Sequence, residues 1–356
     1  MWRDQRILDL FGIEQPILLA PMAGSGGAEL AIAAAEAGGL GSLPCAMLSP
    51  DQIRTELGIM RQRVNRPVNL NFFCHTPPEP DPDREAGWRR RLAPYYAEFG
   101  LDPESPPAGG GRNPFSEEAC AIVEECRPEV VSFHFGLPEE ALLDRVRETG
   151  AKIISSATTV AEARWLEERG CDAIIAQGAE AGGHRGIFLE DDIATQPGTM
   201  ALVPQVVDAV SVPVIAAGGI SDGRGVAAAF MLGASAVQVG TAYLQSPEAL
   251  AGPAHREALA RARDDRTVLT NVFTGRPARG LVNRIVREVG PISAEAPAFP
   301  LATTAVMPLR KAAEGSGSGD FSPLWAGQAA ALAKPMPAKE LTTSIMQDAA
   351  ALLRGS

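Results

Sequence analysis

The chain has 356 residues, 46% of them hydrophobic, and a formal net charge of −11 at pH 7. A chain of this size can bury a full core as one elaborated domain or as two domains. The acidic balance argues against nucleic acid or an anionic membrane as the main partner, and no apolar run approaches membrane-spanning length. The N-terminal residues lack the apolar stretch of a signal peptide, and five cysteines without a Cys-x-x-Cys pair are typical of reduced thiols. We therefore expect a cytoplasmic protein.

Eight short apolar runs alternate with alanine-rich helical patterns in the first two thirds of the chain. The runs are apolar along their length, as expected of strands buried on both faces. They are Pro16–Ala20, Gly39–Leu43, Val68–Phe73, Val130–Phe135, Lys152–Ala157, Ala173–Gln177, Val212–Ala217 and Ala236–Thr241. The helical patterns include Ala28–Ala37, Val160–Arg169 and Gly223–Leu232. This alternation of strand and helix patterns predicts an α/β fold of the (β/α)8, or TIM barrel, class, with a doubly wound open sheet as the alternative.

Two intervals between the predicted strands are too long for simple strand–helix units. A Pro/Gly-rich insert near residues 75–115, which contains Gly109-Gly110-Gly111, separates the third and fourth runs. A second long loop, with the acidic tail Glu190-Asp191-Asp192, separates the sixth and seventh. In a barrel, such loops form the active-site face. We predict a barrel over residues 1–245 and a C-terminal extension over residues 246–356, helical or irregular, that caps the barrel mouth.

The loop after the sixth run carries one of the four histidines of the chain. It reads Gly178-Ala179-Glu180-Ala181-Gly182-Gly183-His184-Arg185-Gly186. Just past a strand end, His184 is a candidate catalytic group, although the string alone is equally typical of a glycine-rich loop with an incidental histidine. Glu180 and His184 have the i, i+4 spacing of metal ligands on a helix. Because the glycines between them disfavour a helix and no other His or Cys cluster is close in sequence, we expect no metal.

Glycines also follow the last two predicted strands, where barrels commonly bind phosphate. Gly218 and Gly219 follow the seventh run, and Gly240 and Thr241 come at the end of the eighth. Glycine lets backbone N–H groups approach phosphate oxygens, and a following helix N-terminus adds positive potential. The pattern favours a phosphate site over a simple tight turn. By contrast, Gly24-Ser25-Gly26-Gly27-Ala28-Glu29 is only a partial dinucleotide-binding fingerprint, because glutamate replaces its third glycine.

Several strings together resemble class I nitronate monooxygenases, formerly called 2-nitropropane dioxygenases. The resemblance runs in order from about residue 8 to about residue 330. Its most specific piece is Ala181-Gly182-Gly183-His184-Arg185-Gly186. The strings that contain Gly218-Gly219 and Gly240-Thr241 are shared by many FMN barrels. The other pieces are Ala20-Pro21-Met22, Gly38-Gly39-Leu40-Gly41-Ser42, Pro67-Val68-Asn69-Leu70-Asn71-Phe72-Phe73, Val131-Ser132-Phe133-His134-Phe135-Gly136, Ala217-Gly218-Gly219-Ile220, Gln238-x-Gly240-Thr241 and Trp325-Ala326-Gly327-Gln328.

The resemblance implies a TIM barrel that binds FMN and oxidises alkyl nitronates with O2. Propionate 3-nitronate is the implied physiological substrate, and the products are a carbonyl compound plus nitrite or nitrate. A monomer or homodimer acting on a small-molecule nitronate is implied. His184 and Asn71, rather than Asn69, would be catalytic. The implied cofactor-binding residues are Ala20, Pro21, Met22, Asn71, Gln177, Gly182, Gly183, Gly218, Gly219, Gln238, Val239, Gly240 and Thr241.

The residue types agree with this chemistry. His184 could hydrogen-bond the two oxygens of a nitronate or act as a base on a neutral nitroalkane. Asn71 offers an uncharged donor at a strand end. His134 is either a second polar group of the pocket or a core histidine. We expect Arg185 to be a solvated loop residue and His255, in a charged helical stretch, to lie on the surface.

The segment after the barrel departs from the family pattern. Phe299 stands where class I members often have a tyrosine, and no lysine precedes Lys311 in the stretch that includes Met307. We predict a substrate pocket of His134, Phe299 and Met307 that is more apolar, which favours a longer or more apolar nitronate as an alternative to propionate 3-nitronate.

Two other functions stay open from the sequence. One is an FMN-dependent NAD(P)H:quinone or enoyl reductase on the same barrel, although those relatives usually read Ala-Gly-His-x-Gly, one glycine fewer than this loop. The other is a phosphate-binding barrel without redox chemistry, acting as an isomerase or a sensor.

Overall fold

The computed structural model describes residues 2–102, 104 and 112–355, and a parallel barrel forms its centre. Gly109-Gly110-Gly111 of the predicted insert lies outside the described residues. The barrel strands are β1 Ile17–Leu19, β2 Gly41–Pro44, β3 Val68–Phe73, β4 Val130–His134, β5 Lys152–Ala157, β6 Ala173–Gln177, β8 Val214–Ala217 and β9 Ala236–Val239. Three further strands, β7 Gly183–His184, β10 Thr267–Thr270 and β11 Ala278–Leu281, form a separate antiparallel sheet in the order β10-β11-β7.

The eight-stranded sheet closes on itself. Its strands follow the order β1-β9-β8-β6-β5-β4-β3-β2, and a parallel bridge between Leu18 and Leu40 joins the two ends. The Leu19 N–H donates to the Leu40 carbonyl at 3.0 Å across this seam. Closure confirms the predicted barrel and rules out the open sheet. The last strand ends at Val239 rather than Thr241, because the chain turns there into a short 3₁₀ helix at Thr241–Gln245.

Thirteen α-helices are present in the described residues, and most of them surround the barrel. They are α1 Arg6–Phe11, α2 Ala28–Glu36, α3 Pro50–Arg63, α4 Pro82–Glu98, α5 Glu117–Cys126, α6 Glu140–Glu148, α7 Val160–Glu168, α8 Thr199–Val207, α9 Gly223–Met231, α10 Pro253–Ala260, α11 Arg284–Val289, α12 Ala302–Gly315 and α13 Ala338–Gly355. Side-chain caps set several starts: Asp222 accepts from the N–H groups of Arg224 and Gly225. Among the described helices, none is long and apolar enough to cross a membrane.

The first helix closes the amino-terminal end of the barrel. Ile7 and Phe11 of α1 pack in one buried cluster with Leu18 and Ile154 of the barrel strands and with Leu40, which directly precedes β2. Burial of these apolar groups holds α1 in place, at about 1.5–3 kcal/mol for each large side chain fully removed from water. The opposite end of the barrel, where the strands finish, is not covered by α1.

The last helix lies in the outer layer of the barrel. α13 packs against α9 and α2 and buries Leu341, Ile345 and Ala349. The approach is close, because an added Cβ on Gly223 would lie 2.5 Å from the Cβ of Asp348. α13 thus occupies the position of an eighth barrel helix, and the earlier part of the predicted extension is what lies near the mouth.

A second core joins the predicted insert to the post-barrel segment. Trp88 and Tyr96 of α4 are buried among apolar residues of α11 and α12. The Trp88 indole N–H donates to the Ala302 carbonyl at 3.3 Å, and the Tyr96 hydroxyl donates to the Ala305 carbonyl at 2.7 Å. These bonds satisfy the polar atoms that such large rings bring inside. The two elaborations therefore form one body beside the barrel mouth.

Candidate active site

A cavity opens where the barrel strands end, and it gathers most of the predicted site residues. Those that line it are Ala20, Pro21, Met22, Asn71, His134, Gln177, Gly182, Gly183, His184, Gly218, Gly219, Gln238, Gly240 and Thr241. Residues that the sequence did not single out for the site also line it, among them Arg112, Ser156, His255, Trp325 and Gly327. Parallel strands end at the same edge of a barrel, which explains why distant strings meet here.

Three predicted residues do not line the cavity. Val239 is 1% exposed and packs in the main core, since it alternates with Gln238 along β9. Phe299 is buried behind the lining, with its ring centre 5.2 Å from that of His184. Met307 lies on α12, half-buried and outside the cavity wall.

The glycines after the last two barrel strands form a cradle. Gly218 and Gly219 have φ angles of +109° and +72°, and an added Cβ on Gly218 would lie 2.9 Å from the backbone nitrogen of Ala181. Positive φ is readily adopted only by glycine, so both positions depend on its lack of a side chain. The Thr241 hydroxyl accepts from the N–H of Gly327 at 2.9 Å, which leaves its own proton to donate elsewhere.

Two amides present acceptors to the cavity. The Oε1 of Gln238 is buried and has no partner among the described residues. Asn71 is 4% exposed, and its Nδ2 donates to the hydroxyl of Ser132 at 2.9 Å and to the Ser132 carbonyl at 3.2 Å. The predicted donor of Asn71 is therefore already used, and the group it has left is the Oδ1 acceptor. A buried, unpaired acceptor such as that of Gln238 indicates a ligand with an N–H or O–H.

The backbone of His184 is held from two sides. Its carbonyl accepts from the Nε2 of Gln177 at 3.0 Å and from the Nε2 of His134 at 3.3 Å. Because a carbonyl can only accept, His134 carries its proton on Nε2, and its Nδ1 accepts from the Ser156 hydroxyl at 2.5 Å. The Oε1 of Gln177 accepts from the Gly186 N–H at 2.8 Å. His134 is thus a pocket residue that also positions the loop.

The imidazole of His184 is neutral at physiological pH. Burial lowers its pKa well below the ordinary value of 6.5, and Arg112, His134 and Arg276 lower it further. Its Nε2 lies 3.0 Å from the hydroxyl oxygen of Thr274, and no partner of its Nδ1 is found among the described residues. A threonine hydroxyl can donate or accept, so either tautomer of His184 is compatible with this contact.

Aromatic rings pack around this histidine. Phe73, Phe135, Phe299 and Trp325 all lie with ring centres 5.2–6.3 Å from that of His184. Phe135 has a φ of +71°, an unusual conformation for a bulky residue, which its neighbours must hold in place. The rings exclude water from one side of His184 and explain its low pKa.

Two sequence-based expectations about charged residues were wrong. Arg185 is fully buried, and its guanidinium donates to Gly178 O at 2.6 Å, Gln177 O at 2.8 Å and Gln196 Oε1 at 2.7 Å. It fixes the loop from inside instead of being solvated. His255 lines the cavity and its Nε2 donates to the Trp325 carbonyl at 3.0 Å, because α10 folds back onto the mouth.

Comparison with known proteins decides the family. A family model described as Nitronate monooxygenase matches residues 4–348. A nitronate monooxygenase from Pseudomonas aeruginosa is 42% identical over 96% of this chain and 98% of its own length, and one from Paraburkholderia phytofirmans is 39% identical over 96% and 94%.

The chain belongs to the nitronate monooxygenase family. Solved structures agree with this. Nitroalkane oxidase from Streptomyces ansochromogenes superposes with a TM-score of 0.89 at 38% identity, covering 98% of this chain and 99% of that one. FabK from Thermotoga maritima, at 29% identity, superposes with a TM-score of 0.74 over 100% and 98%. The resemblance predicted from the sequence is confirmed, and the protein is an oxidoreductase of this family.

Glu180 has a structural role in this member of the nitronate monooxygenase family. Its carboxylate accepts from the backbone N–H of Thr199 at 2.7 Å and from the Thr199 hydroxyl at 2.9 Å, at the start of α8. A carboxylate at a helix N-terminus satisfies otherwise unpaired N–H groups. In the part of the chain that the structure describes, no group of three or more His, Cys, Asp or Glu side chains could hold a metal ion.

Proposed function

We propose that the protein oxidises alkyl nitronates with O2 by means of FMN, giving a carbonyl compound and nitrite or nitrate. The observation that carries the proposal is the position of a neutral, half-buried His184 in a cavity that also contains a glycine cradle. Family membership and the likeness to nitroalkane oxidase support it. Five free cysteines, all described, support the expected cytoplasmic location.

The residues present fit FMN. Gly218 and Gly219 leave a cradle that a Cβ would fill, and α9 begins shortly after them, so its N-terminus would favour a phosphate. The unpaired Oε1 of Gln238 suits a ring N–H. Thr241 has a hydroxyl proton free to donate to a phosphate. When bound, FMN would take an electron from the nitronate and pass it to O2.

His184 provides two kinds of contact to a substrate. When the Thr274 hydroxyl donates to Nε2, Nδ1 carries the proton and can donate to a nitronate oxygen. The Thr274 hydroxyl can instead donate to the Arg276 carbonyl, 3.3 Å away, and accept a hydrogen bond from Nε2. In that arrangement the proton of His184 is on Nε2, and the lone pair of Nδ1 can accept a proton from a neutral nitroalkane. The threonine therefore supports binding of the anion and deprotonation of its acid.

Thr274→Val should lower kcat/KM on nitronates about tenfold, because it leaves a buried ring nitrogen without its partner, a loss of about 1–3 kcal/mol. Steady-state O2 uptake checks this, and Thr274→Ser should retain most of the activity. A valine variant with unchanged kcat/KM would show that the 3.0 Å contact does not serve turnover.

The pH profile should lack a histidine step near neutrality. Because the pKa of His184 lies well below 6.5, the neutral ring persists as the pH falls through that value. We expect kcat/KM on a preformed nitronate to stay level between about pH 6 and 8. A loss of activity centred near pH 6.5 would contradict a neutral His184.

One experiment separates the proposal from a reductase function, which the likeness to FabK keeps as the second candidate. The purified protein is assayed for O2 uptake with ethyl, propyl and butyl nitronates, and separately mixed with NADH without oxygen. Nitronate-dependent O2 uptake with no rapid bleaching of the flavin is expected. Rapid bleaching by NADH, without nitronate oxidation, would favour the reductase.

A further inference from the structure

A buried carboxylate on α7 joins two loops at the end of the barrel where the strands finish. Glu162 is 1% exposed, and both of its side-chain oxygens accept hydrogen bonds. Oε2 accepts from the backbone N–H and from the hydroxyl of Thr158, both at 2.6 Å. Oε1 accepts from the N–H of Phe188 at 2.6 Å and from that of Leu189 at 3.2 Å. Because every partner is a donor, the contacts are those of an ionised carboxylate, which only accepts.

The second of these loops contains His184. Phe188 lies four residues after His184, and its ring packs edge-on against that of Trp165 on α7, with 5.1 Å between ring centres. The segment between them has little room, since an added Cβ on Gly186 would lie 2.9 Å from Cε1 of the His134 ring. A shift of the chain at Phe188 would therefore be passed on to His184.

The peptide bond between Ile187 and Phe188 lies between opposite charges. Its N–H donates to Glu162, and its carbonyl accepts from the guanidinium of Arg276. In a trans peptide these two groups point in opposite directions, so the carboxylate and the guanidinium bind opposite edges of one unit. Hydrogen bonds to charged groups are stronger than those between neutral groups. Rotation of this peptide would turn its carbonyl oxygen towards the carboxylate, and the loop is therefore fixed in one orientation.

A second route leads from the carboxylate to the residue next to His184. The Thr158 hydroxyl, which donates to Glu162, accepts from the Nε2 of Gln196 at 2.6 Å. The Oε1 of Gln196 in turn accepts from the Nε of Arg185 at 2.7 Å. The direction of this chain of hydrogen bonds depends on a carboxylate that takes the threonine proton. Glu162 thus reaches the loop at a second point, directly after His184.

We propose that Glu162 is a positioning residue that holds residues 184–189 in the conformation that His184 needs to act on the substrate. Glu162 does not line the cavity, and it acts through the Ile187–Phe188 peptide and through Arg185. The inference rests on the proposed function, since it takes His184 as the group that contacts the nitronate. The dependence of the His184 ring on Glu162 can nevertheless be measured without turnover.

The first test replaces Glu162 with glutamine, which keeps the shape of the side chain and removes its charge. A glutamine amide has one accepting oxygen, so the donors of Thr158 or those of Phe188 and Leu189 would face an NH2 group. We expect kcat for ethyl nitronate, measured by O2 uptake per bound flavin, to fall about tenfold or more. The KM should change by less than about threefold, because a displaced catalytic group acts mainly on the transition state.

The ring of His184 gives a readout that does not depend on turnover. The chain has four histidines, so long-range 1H–15N correlation spectra of protein labelled at histidine can resolve each ring. Single histidine variants assign the signals. We expect Glu162→Gln to change the ring 15N shifts of His184, because the contact of its Nε2 with Thr274 is displaced. The signals of His255, on α10, should change less.

Glu167 provides a matched control on the same helix. Its Oε1 also accepts hydrogen bonds from a loop, from the N–H and the hydroxyl of Ser211 at 2.6 Å each and from the N–H of Val212 at 3.2 Å. These two residues precede β8, so the contact lies at the end of the barrel opposite the cavity. Glu167→Gln should therefore lower thermal stability without changing kcat or the ring signals of His184.

The outcomes separate positioning from a general loss of stability. Reduced kcat together with a changed His184 ring in Glu162→Gln, but not in Glu167→Gln, supports the proposal. An unchanged ring, unchanged kcat, or equal effects of the two variants would overturn it. If the natural protein oxidises no nitronate, the proposed function fails, while a changed ring still supports the dependence of His184 on Glu162.

Thr158→Val keeps the test decisive if Glu162→Gln does not fold, which circular dichroism shows. Valine has nearly the shape of threonine, and it removes one donor to Glu162 and the acceptor for Gln196. We expect a smaller fall in kcat and a smaller change of the His184 ring than in Glu162→Gln. An unchanged ring with unchanged kcat would contradict the route through Arg185.

Discussion

Replacing His184 with alanine is expected to reduce nitronate oxidation by about 10²- to 10⁴-fold, the range typical of a positioned acid–base group. Its imidazole lies in the cavity with one nitrogen on Thr274 and the other without a partner in the described residues. The cradle residues Gly218 and Gly219 lie on another loop, so bound FMN should remain near one per chain. Stopped-flow reduction and O2 uptake measure turnover, and flavin absorbance per protein measures retention.

His184→Asn provides a matched control for this experiment. An asparagine amide can place a donor or acceptor near the position of Nδ1 but cannot act as a base at neutral pH. We expect partial recovery on preformed nitronates and none on neutral nitroalkanes. Full nitronate oxidation by His184→Ala would remove His184 from the mechanism, and loss of flavin together with activity would reassign it to cofactor binding.

Gly219→Val is expected to empty the flavin site. The valine side chain would enter the phosphate cradle, and a β-branched residue is strained at the φ of +72° found there. Protein contacts alone do not forbid it, because the nearest atom to an added Cβ is the Cβ of Glu180 at 3.5 Å. The predicted result is a folded, colourless protein, measured by flavin absorbance and circular dichroism.

Gly317→Val isolates the backbone strain from the cofactor effect. Gly317 has a similar φ of +80°, and an added Cβ there meets nothing within 4 Å. Both variants should therefore lose comparable thermal stability, while only Gly219→Val loses FMN. Stoichiometric flavin in Gly219→Val, or equal flavin loss in both variants, would show that the glycines do not hold the phosphate.

The barrel could be predicted because each of its strands is a contiguous apolar run. Strands buried on both faces lack polar interruptions, and β3, β5 and β6 begin and end where the pattern does. The same reasoning predicts polar residues and glycines past the strand ends, and it points to His184 and Gly219. Ser156 is the last residue but one of β5, and its position close to a strand end could also have marked it.

Other parts of the site could not be predicted, because they depend on tertiary contacts of distant segments. Arg112 and Thr274 lie in irregular loops, and no local pattern distinguishes them from surface residues. The burial of Arg185 was missed because a guanidinium can be satisfied by main-chain carbonyls that a sequence does not reveal. Val239 was assigned to the cofactor with its neighbours, although alternation along a strand turns it away.

The pairing of β7 with β11 has a consequence for how the glycine-rich loop that contains His184 can be transplanted. Ala278 is the strand partner of His184, and Arg279 is the partner of Gly183 and donates to the Ala179 carbonyl at 2.8 Å. The loop is thus completed by a hairpin nearly a hundred residues downstream. Grafting the glycine-rich loop alone onto another barrel would transfer its sequence without its geometry. The transferable unit is the loop together with β10 and β11. A library of variants that changes only the loop or only the β10–β11 hairpin would disrupt the pairing of β7 with β11.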